Sequence, residues 1–225
     1  MLKRLLYIAY ITLCYILTVV GPTQAHHAPV YVLDSDQITC TIANVKQEAS
    51  GRVLAVTAAH CLKPSRQFDP VQGVWQTLED YAPFTIHAPV SNEIIGTGAV
   101  VFVQGDLGLI AYTPQTPVTI LPYKALEASK LQFGHTIVAC GLIIASESSP
   151  GHQGLCLGGF WLNDIIRYEG MNFWAIQLPV RAGMSGGPIF HQGKVIGIYS
   201  IQIVTGSVSG MTPLNAAIPY LEGMR

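Results

Sequence analysis

Short apolar runs rich in Val, Ile and Tyr, separated by Gly, Pro and Asn, follow one another along most of the chain. Several alternate with polar residues or stay apolar over a few positions, a pattern typical of β-strands. Residues 26–36 form an extended lead-in, and the Gln192-Gly193 pair between two runs indicates a hairpin turn. The pattern predicts strands at residues 39–45, 52–58, 98–104, 107–113, 135–145, 155–162, 172–178, 187–192, 194–203 and 214–219.

Amphipathic helices are scarce, and residues 121–131 are the best helical candidate. Strands this frequent favour an all-β protein built from barrels or a sandwich. The chain has 225 residues, of which 50% are apolar and 11% charged, enough for one domain or two small lobes with a sizeable core. The proline-rich stretch 113–122 is the most plausible crossing point between two lobes. The formal net charge of -1 gives no reason to expect a nucleic-acid partner.

The first 25 residues differ from the rest of the sequence and have the layout of a secretory signal peptide. Lys3 and Arg4 precede an apolar run at residues 5–20, Gly21-Pro22 interrupts it, and small residues end the segment at Ala25. We therefore expect residues 1–25 to be a signal peptide and residues 26–225 to form the exported domain. The alternative is an uncleaved anchor, which alone would give the protein a membrane contact. Either case predicts a secreted or periplasmic location.

Four cysteines follow the predicted signal: Cys40, Cys61, Cys140 and Cys156. An even number in an exported chain indicates disulfides, and the sequence allows three pairings. Sequential pairing closes two short loops. A zinc site is disfavoured because no Cys-x-x-Cys spacing occurs, and free buried thiols remain an alternative for Cys140 and Cys156. No metal site is expected elsewhere.

Three polar residues stand in specific surroundings: His60 in "VTAAHC", Asp106 in "GDLGLI" and Ser185 in "GMSGGP". Taken singly, a histidine after an apolar run is usually structural, and an aspartate after glycine is usually a turn residue. Together they supply the base, the acid and the hydroxyl nucleophile of an acyl-transfer enzyme. The glycines around Ser185 indicate a tight turn or a close approach of the backbone.

In this order and with these flanking strings, the sequence resembles the trypsin- and chymotrypsin-like serine peptidases. The resemblance implies two six-stranded antiparallel β-barrels with the active site between them, at about residues 30–115 and about 123–220. Ser185 would be the nucleophile, His60 the general base and Asp106 the residue that orients the histidine. The backbone N–H groups of Gly183 and Ser185 would form the oxyanion hole. No cofactor is implied.

Two further features follow from the resemblance. Relatives commonly bridge the cysteines that match Cys40 and Cys61. Relatives activated by zymogen cleavage carry an aspartate just before the serine, where this chain has Met184. We therefore expect a site that forms on folding, as in the HtrA-type branch, but without a peptide-binding PDZ module, because the chain ends at Arg225.

The resemblance also implies where protein or peptide substrates bind. The primary pocket would be lined by residues 178–182, 199–202 and 214–217, none of them acidic, which disfavours a Lys or Arg side chain. Within these ranges Pro179, Val180, Tyr199 and Ile201 favour an apolar or small side chain. Tyr199, Ser200, Ile201 and Gln202 would contact the substrate, and the backbone of 200–202 would pair with it as an added strand. The predicted function is an exported serine endopeptidase that works through an acyl-enzyme. The alternatives are a catalytically silent binding protein on the same fold and a dedicated processing peptidase.

Overall fold

The computed structural model describes residues 30–35, 38–62, 64–69, 74–81, 83–144, 152–179, 183–202 and 207–223. The predicted signal peptide lies outside these residues, as does the cleavage position after Ala25. Within the described residues β-strands are the main regular structure, and helix is confined to a few short segments. None of the helices in this part of the chain has the length and hydropathy of a membrane span.

The first barrel is closed by six antiparallel strands in the order β1-β2-β3-β8-β7-β6. β3 is buried along its whole length and pairs with β8, which is equally buried, so these two strands form the most apolar part of the wall. The strands of this barrel are β1 (Tyr31–Ser35), β2 (Ile38–Gln47), β3 (Val53–Ala58), β6 (Phe84–His87), β7 (Ile94–Gln104) and β8 (Leu107–Tyr112).

The second barrel closes in the order β10-β11-β14-β13-β12-β9, again with antiparallel neighbours. The predicted hairpin joins β12 to β13, with Gln192 at φ 52° and Gly193 at φ 74° in its turn. The predicted pair of six-stranded antiparallel barrels is thus confirmed. The strands of this barrel are β9 (Thr136–Ile144), β10 (His152–Tyr168), β11 (Met171–Gln177), β12 (Pro188–His191), β13 (Lys194–Gln202) and β14 (Val208–Pro213).

Outside the barrels, β4 (Pro64–Asp69) and β5 (Val74–Tyr81) pair as a separate two-stranded sheet. The sequence pattern did not predict β4, β5, β6 or β14, and it treated the region of β1 only as an extended lead-in. The helical segments are short: 3-10 turns at Ala59–Cys61, Ala128–Lys130 and Leu214–Ala216, and an α-helix at Ile218–Leu221.

Two sequence predictions of secondary structure are wrong. The predicted strand 214–219 is a 3-10 turn followed by the start of the α-helix, where Pro219 fits because the first helical turn needs no N–H from it. The predicted helix 121–131 is not helical apart from the 3-10 turn at Ala128–Lys130. Its backbone bonds to β13 instead, since the N–H of Val195 donates to Pro122 O at 2.8 Å and the N–H of Lys124 donates to Val195 O at 3.0 Å.

The two barrels share hydrophobic core. One large cluster fills the first barrel, with Leu54, Leu107 and Ile110 fully buried, and it also contains Val195 and Ile198 from β13 of the second barrel. A second cluster around Trp161 fills the second barrel. The barrels therefore meet along packed apolar side chains, and residues at their junction are held from both sides.

A disulfide joins Cys140 to Cys156 across the paired strands β9 and β10, where the two residues are direct register partners. With the Cys40–Cys61 bridge, this gives the sequential pairing of the four cysteines, and the alternative of free thiols at Cys140 and Cys156 is wrong. Two disulfides are consistent with an extracytoplasmic protein, because such bridges persist in oxidising compartments.

Candidate active site

His60 and Asp106 form a close pair at one end of the first barrel. Asp106 Oδ1 lies 3.0 Å from His60 Nδ1 and Oδ2 lies 3.1 Å from the same nitrogen. The backbone N–H of His60 also donates to Asp106 Oδ1, at 3.0 Å. A carboxylate only accepts hydrogen bonds, so the ring nitrogen that faces it carries a proton, and Nε2 of a neutral ring is left as a base.

Strand pairing brings these two residues together although they are far apart in sequence. Ala58, the last residue of β3, pairs with Leu107, the first residue of β8. His60 follows one strand and Asp106 precedes the other, so both side chains lie at the same barrel end. The N–H of Ala59 donates to Asp106 O at 3.0 Å and fixes the two loops to each other.

The pair is unequally exposed. The Asp106 side chain is 3% exposed, whereas the His60 side chain is 44% exposed. The carboxylate is therefore held by neighbours inside the protein, and the imidazole is open to an incoming molecule. This is the arrangement that a buried orienting acid and a working base require.

The Cys40–Cys61 disulfide fixes the histidine turn to β2. Cys61 directly follows His60, and both cysteines are buried. The bridge spans 21 residues of sequence with a Cα–Cα distance of 6.1 Å. The residue next to His60 is thus covalently tied to the strand that carries Thr41.

Ser185 lies on a tight turn between Gly183 and Gly187, just before β12. The N–H of Gly187 donates to Met184 O at 2.9 Å, and the N–H of Gly186 donates to Tyr199 O at 2.9 Å. Gly186 has φ +80°, a left-handed conformation that L side chains rarely adopt. Glycine is concentrated here because the turn needs backbone angles that other residues rarely adopt.

The same turn packs against the first barrel beside the histidine loop. A Cβ built on Gly186 would lie 2.3 Å from both Thr41 O and Thr57 Oγ1 and 2.9 Å from Ala58 N. Ala58 is the residue before the 3-10 turn of His60. The structure therefore brings the turn of Ser185 to the barrel end where His60 and Asp106 meet. Among the hydrogen bonds of the described residues, none joins the Ser185 hydroxyl to the His60 ring.

Met184, which occupies the position before the serine, is fully buried in the core of the second barrel. Its side chain covers Gly141 of β9, where an added Cβ would lie 2.9 Å from Met184 Cβ. An apolar contact thus holds this side of the turn, in surroundings where an acidic side chain would be buried without a partner.

The predicted substrate strand lies next to the serine turn. β13 pairs with β12 only as far as Ile198, and the backbone of Tyr199 bonds to Gly186 and Gly187. Beyond it, Ile201 and Gln202 pair with β14 on one side after a register shift at Ser200, and no strand among the described residues pairs with residues 200–202 on the other. That open edge has the geometry for an added strand.

Burial distinguishes the four predicted substrate contacts. Gln202 is exposed and Ile201 half-buried, whereas Ser200 is 3% and Tyr199 4% exposed. Burial raises the pKa of Tyr199 to about 12, so its hydroxyl stays protonated at neutral pH. The Ser200 hydroxyl lies 2.6 Å from Thr212 Oγ1. Ile201 and Gln202 are therefore the side chains open to a ligand.

Part of the predicted pocket lining is core instead. Leu214 and Ala217 are fully buried in the cluster shared with the first barrel, because the chain turns into the terminal helix there. Residues 180–182 lie outside the described residues. The strand that does line β13 at this point is β14, with Tyr199 opposite Met211 and Ile201 opposite Gly210, and the sequence pattern did not predict that strand.

Sequence reasoning also missed two buried threonines, Thr41 and Thr57, which hold the serine turn from the first barrel. Thr57 Oγ1 donates to Thr41 O at 2.9 Å. Both lie within apolar runs, where a threonine is an ordinary strand residue. In the sequence, Thr41 is marked only by following Cys40, and Thr57 only by standing in the "VTAAHC" string of His60.

No model of a protein family matches this sequence, and a search of curated proteins gives no match. Among solved structures, the chain is similar to a crystal structure of the Rv3671c protease in an inactive form. The TM-score is 0.56 at 17% sequence identity, over 92% of this chain and 94% of the other. Together with the two closed barrels, this likeness shows a chymotrypsin-like fold.

Proposed function

We propose that the protein is an exported serine endopeptidase whose catalytic residues are His60, Asp106 and Ser185. One observation carries the proposal: a buried carboxylate holds the Nδ1 side of an exposed imidazole, and the glycine turn of Ser185 packs against the same barrel end. Fold alone does not assign function, so the proposal rests on this local chemistry. The protease among the structural neighbours agrees with it.

In this mechanism His60 removes the hydroxyl proton of Ser185 as Oγ attacks the carbonyl carbon of the scissile bond. The carbonyl oxygen becomes an anion, which the N–H groups of Gly183 and Ser185 stabilise. His60 then gives its proton to the leaving amine, and the acyl group stays on Oγ. A water molecule then attacks the ester carbonyl while His60 accepts its proton. His60 returns that proton to Ser185 Oγ as the ester bond breaks and the carboxylic acid product leaves.

Asp106 acts throughout by holding the imidazole. Its two oxygens accept the Nδ1–H and the backbone N–H of His60, so the ring keeps one tautomer and one orientation. When His60 becomes a cation during the reaction, the carboxylate beside it stabilises that charge.

The proposal extends to how the site forms and what it accepts. Met184 packs in the core without a charged partner, which supports a site that assembles on folding, as in the HtrA-type branch. The open edge at residues 200–202 supports binding of an extended peptide, with an apolar or small side chain preferred beside the serine. The two disulfides support action outside the cytoplasm.

A peptide-library digest tests this function. The full chain, produced in an oxidising compartment, is incubated with unstructured peptides of defined sequence, and the products are identified by mass spectrometry. We expect wild type to cut internal peptide bonds and Ser185→Ala to cut none while keeping the same thermal unfolding midpoint. A folded wild type that cuts nothing would support the silent binding protein, and cleavage at one sequence alone would support a processing peptidase.

A further inference from the structure

Thr41 is a fully buried polar residue of the first barrel that contacts the serine turn of the second. It lies on β2 between Cys40 and Ile42. Its N–H donates to Ser185 O at 2.8 Å, and its Oγ1 donates to Gly183 O at 2.7 Å. One residue therefore holds the carbonyls of both residues whose N–H groups are the proposed oxyanion donors.

The direction of the side-chain bonds is fixed by chemistry. Gly183 O is a carbonyl and only accepts, so the single hydroxyl proton of Thr41 points to it. The N–H of Leu142 on β9 donates to the same Oγ1 at 3.0 Å. The hydroxyl thus acts once as a donor and once as an acceptor, and it joins the turn to β9.

The backbone at Gly183 is where such a constraint matters most. Gly183 has φ +93°, and a Cβ there would lie 2.7 Å from Leu142 O. Glycine rotates freely about both backbone bonds, so its sequence alone does not fix the orientation of the adjoining peptide groups. The Thr41 hydroxyl bonds to both Gly183 O and the N–H of Leu142, and these two bonds restrain the orientation of the peptide group at Gly183.

We propose that Thr41 is a positioning residue of the serine turn. Its hydroxyl, in the first barrel, holds the backbone of that turn in the second barrel. This inference rests on the proposed function. Substrate never contacts Thr41, which acts by holding Gly183 and Ser185 so that their N–H groups face the developing anion. Preorganised donors need no rearrangement at the moment of reaction, so loosening them lowers the rate.

The test compares Thr41→Ser with Thr41→Ala, two variants that lose the same methyl group and differ in one hydroxyl oxygen. The rate of inactivation by a fluorophosphonate is measured over a range of pH. Circular dichroism first checks that each variant is folded. We expect Thr41→Ser to react within about 3-fold of wild type and Thr41→Ala to react ~30-fold more slowly, since a displacement near 1 Å can cost ~100-fold.

Two further readouts separate positioning from general loosening. The pH at half-maximal rate should be the same in Thr41→Ala and wild type, because the His60–Asp106 pair is untouched. Thr85→Val is the matched control, since it removes a hydroxyl that donates to Asp34 O at 3.4 Å on another part of the first barrel. It should react at the wild-type rate.

Equal rates for the serine and alanine variants would overturn the role of Thr41 and leave the proposed function standing. A shifted pH profile in Thr41→Ala would also overturn it, because the effect would then run through His60. A folded wild type that does not react with the probe would overturn the proposed function and this inference together.

Discussion

Among single residues, His60 and Asp106 differ in their surroundings, and this difference suits them to different roles. Asp106 accepts bonds from the side chain and the backbone of His60 inside the barrel, while the imidazole itself stays open. The orienting group is therefore in place before any substrate arrives.

Asp106→Asn should keep the fold and lose most of the activity. The amide oxygen can still accept the His60 backbone N–H, but the amide nitrogen would donate to the ring and favour the wrong tautomer. We expect kcat to fall roughly 10³-fold to 10⁴-fold, as such a change does in related enzymes. Steady-state kinetics on a peptide cut by wild type measures it. Near-normal turnover would show that another residue orients His60.

The three candidate catalytic residues can be proposed from the sequence because His60 and Ser185 stand in specific local strings and Asp106 lies between them in the expected order. Thr41 cannot, because its importance comes from Gly183 and Leu142, which are close only in the folded protein. The disulfide partners lie between these cases. Spacing allows three pairings, and strand register alone places Cys140 opposite Cys156.

Among the elements, strands that are continuous apolar runs are predicted well, and strands of mixed composition are predicted poorly. β3 and β8 are buried along their length and stand out as continuous apolar runs. β14 has a serine and a glycine among its buried residues, so its pattern is weak. Residues 214–219 are apolar without being a strand, since a short apolar run does not distinguish a buried strand from a buried turn of helix.

The serine turn is an element whose shape depends on Gly186. Gly186→Ala combines a left-handed φ with an overlap against Thr41 O and Ala58 N, which are backbone atoms that cannot rotate away. Gly193→Ala is the matched control, because Gly193 has φ +74° with nothing within 4 Å of an added Cβ. The two variants share the strain and differ in the overlap.

We expect Gly193→Ala to lower the free energy of unfolding by about 1 to 2 kcal/mol. Gly186→Ala should lose ~1 to 3 kcal/mol more, because the barrels must shift to admit the methyl group. It should also lose most of its activity, whereas Gly193→Ala keeps it. Denaturant unfolding and peptide cleavage measure both. Equal stability for the two variants would mean that the turn does not press against the first barrel as described.

At the scale of the molecule, the site depends on how two barrels meet. The first barrel supplies His60 and Asp106, and the second supplies Ser185 on a turn held by Thr41. Val195 and Ile198 extend the shared core beneath this junction. Strand counting favours barrels or a sandwich without choosing between them. Only the resemblance carried by the three strings predicted two barrels, because closure depends on strand pairing across long sequence separations.

In the proposed mechanism residues from both barrels act on one reaction, and covalent labelling is the sharpest test of this. The folded full chain is treated with a fluorophosphonate, and the modified residue is located by peptide mass spectrometry in wild type, His60→Ala and Ser185→Ala. We expect one adduct per chain, on Ser185, formed at least ~10³-fold more slowly without His60 and absent in Ser185→Ala. An adduct on another residue, or labelling of Ser185 at the same rate without His60, would contradict it.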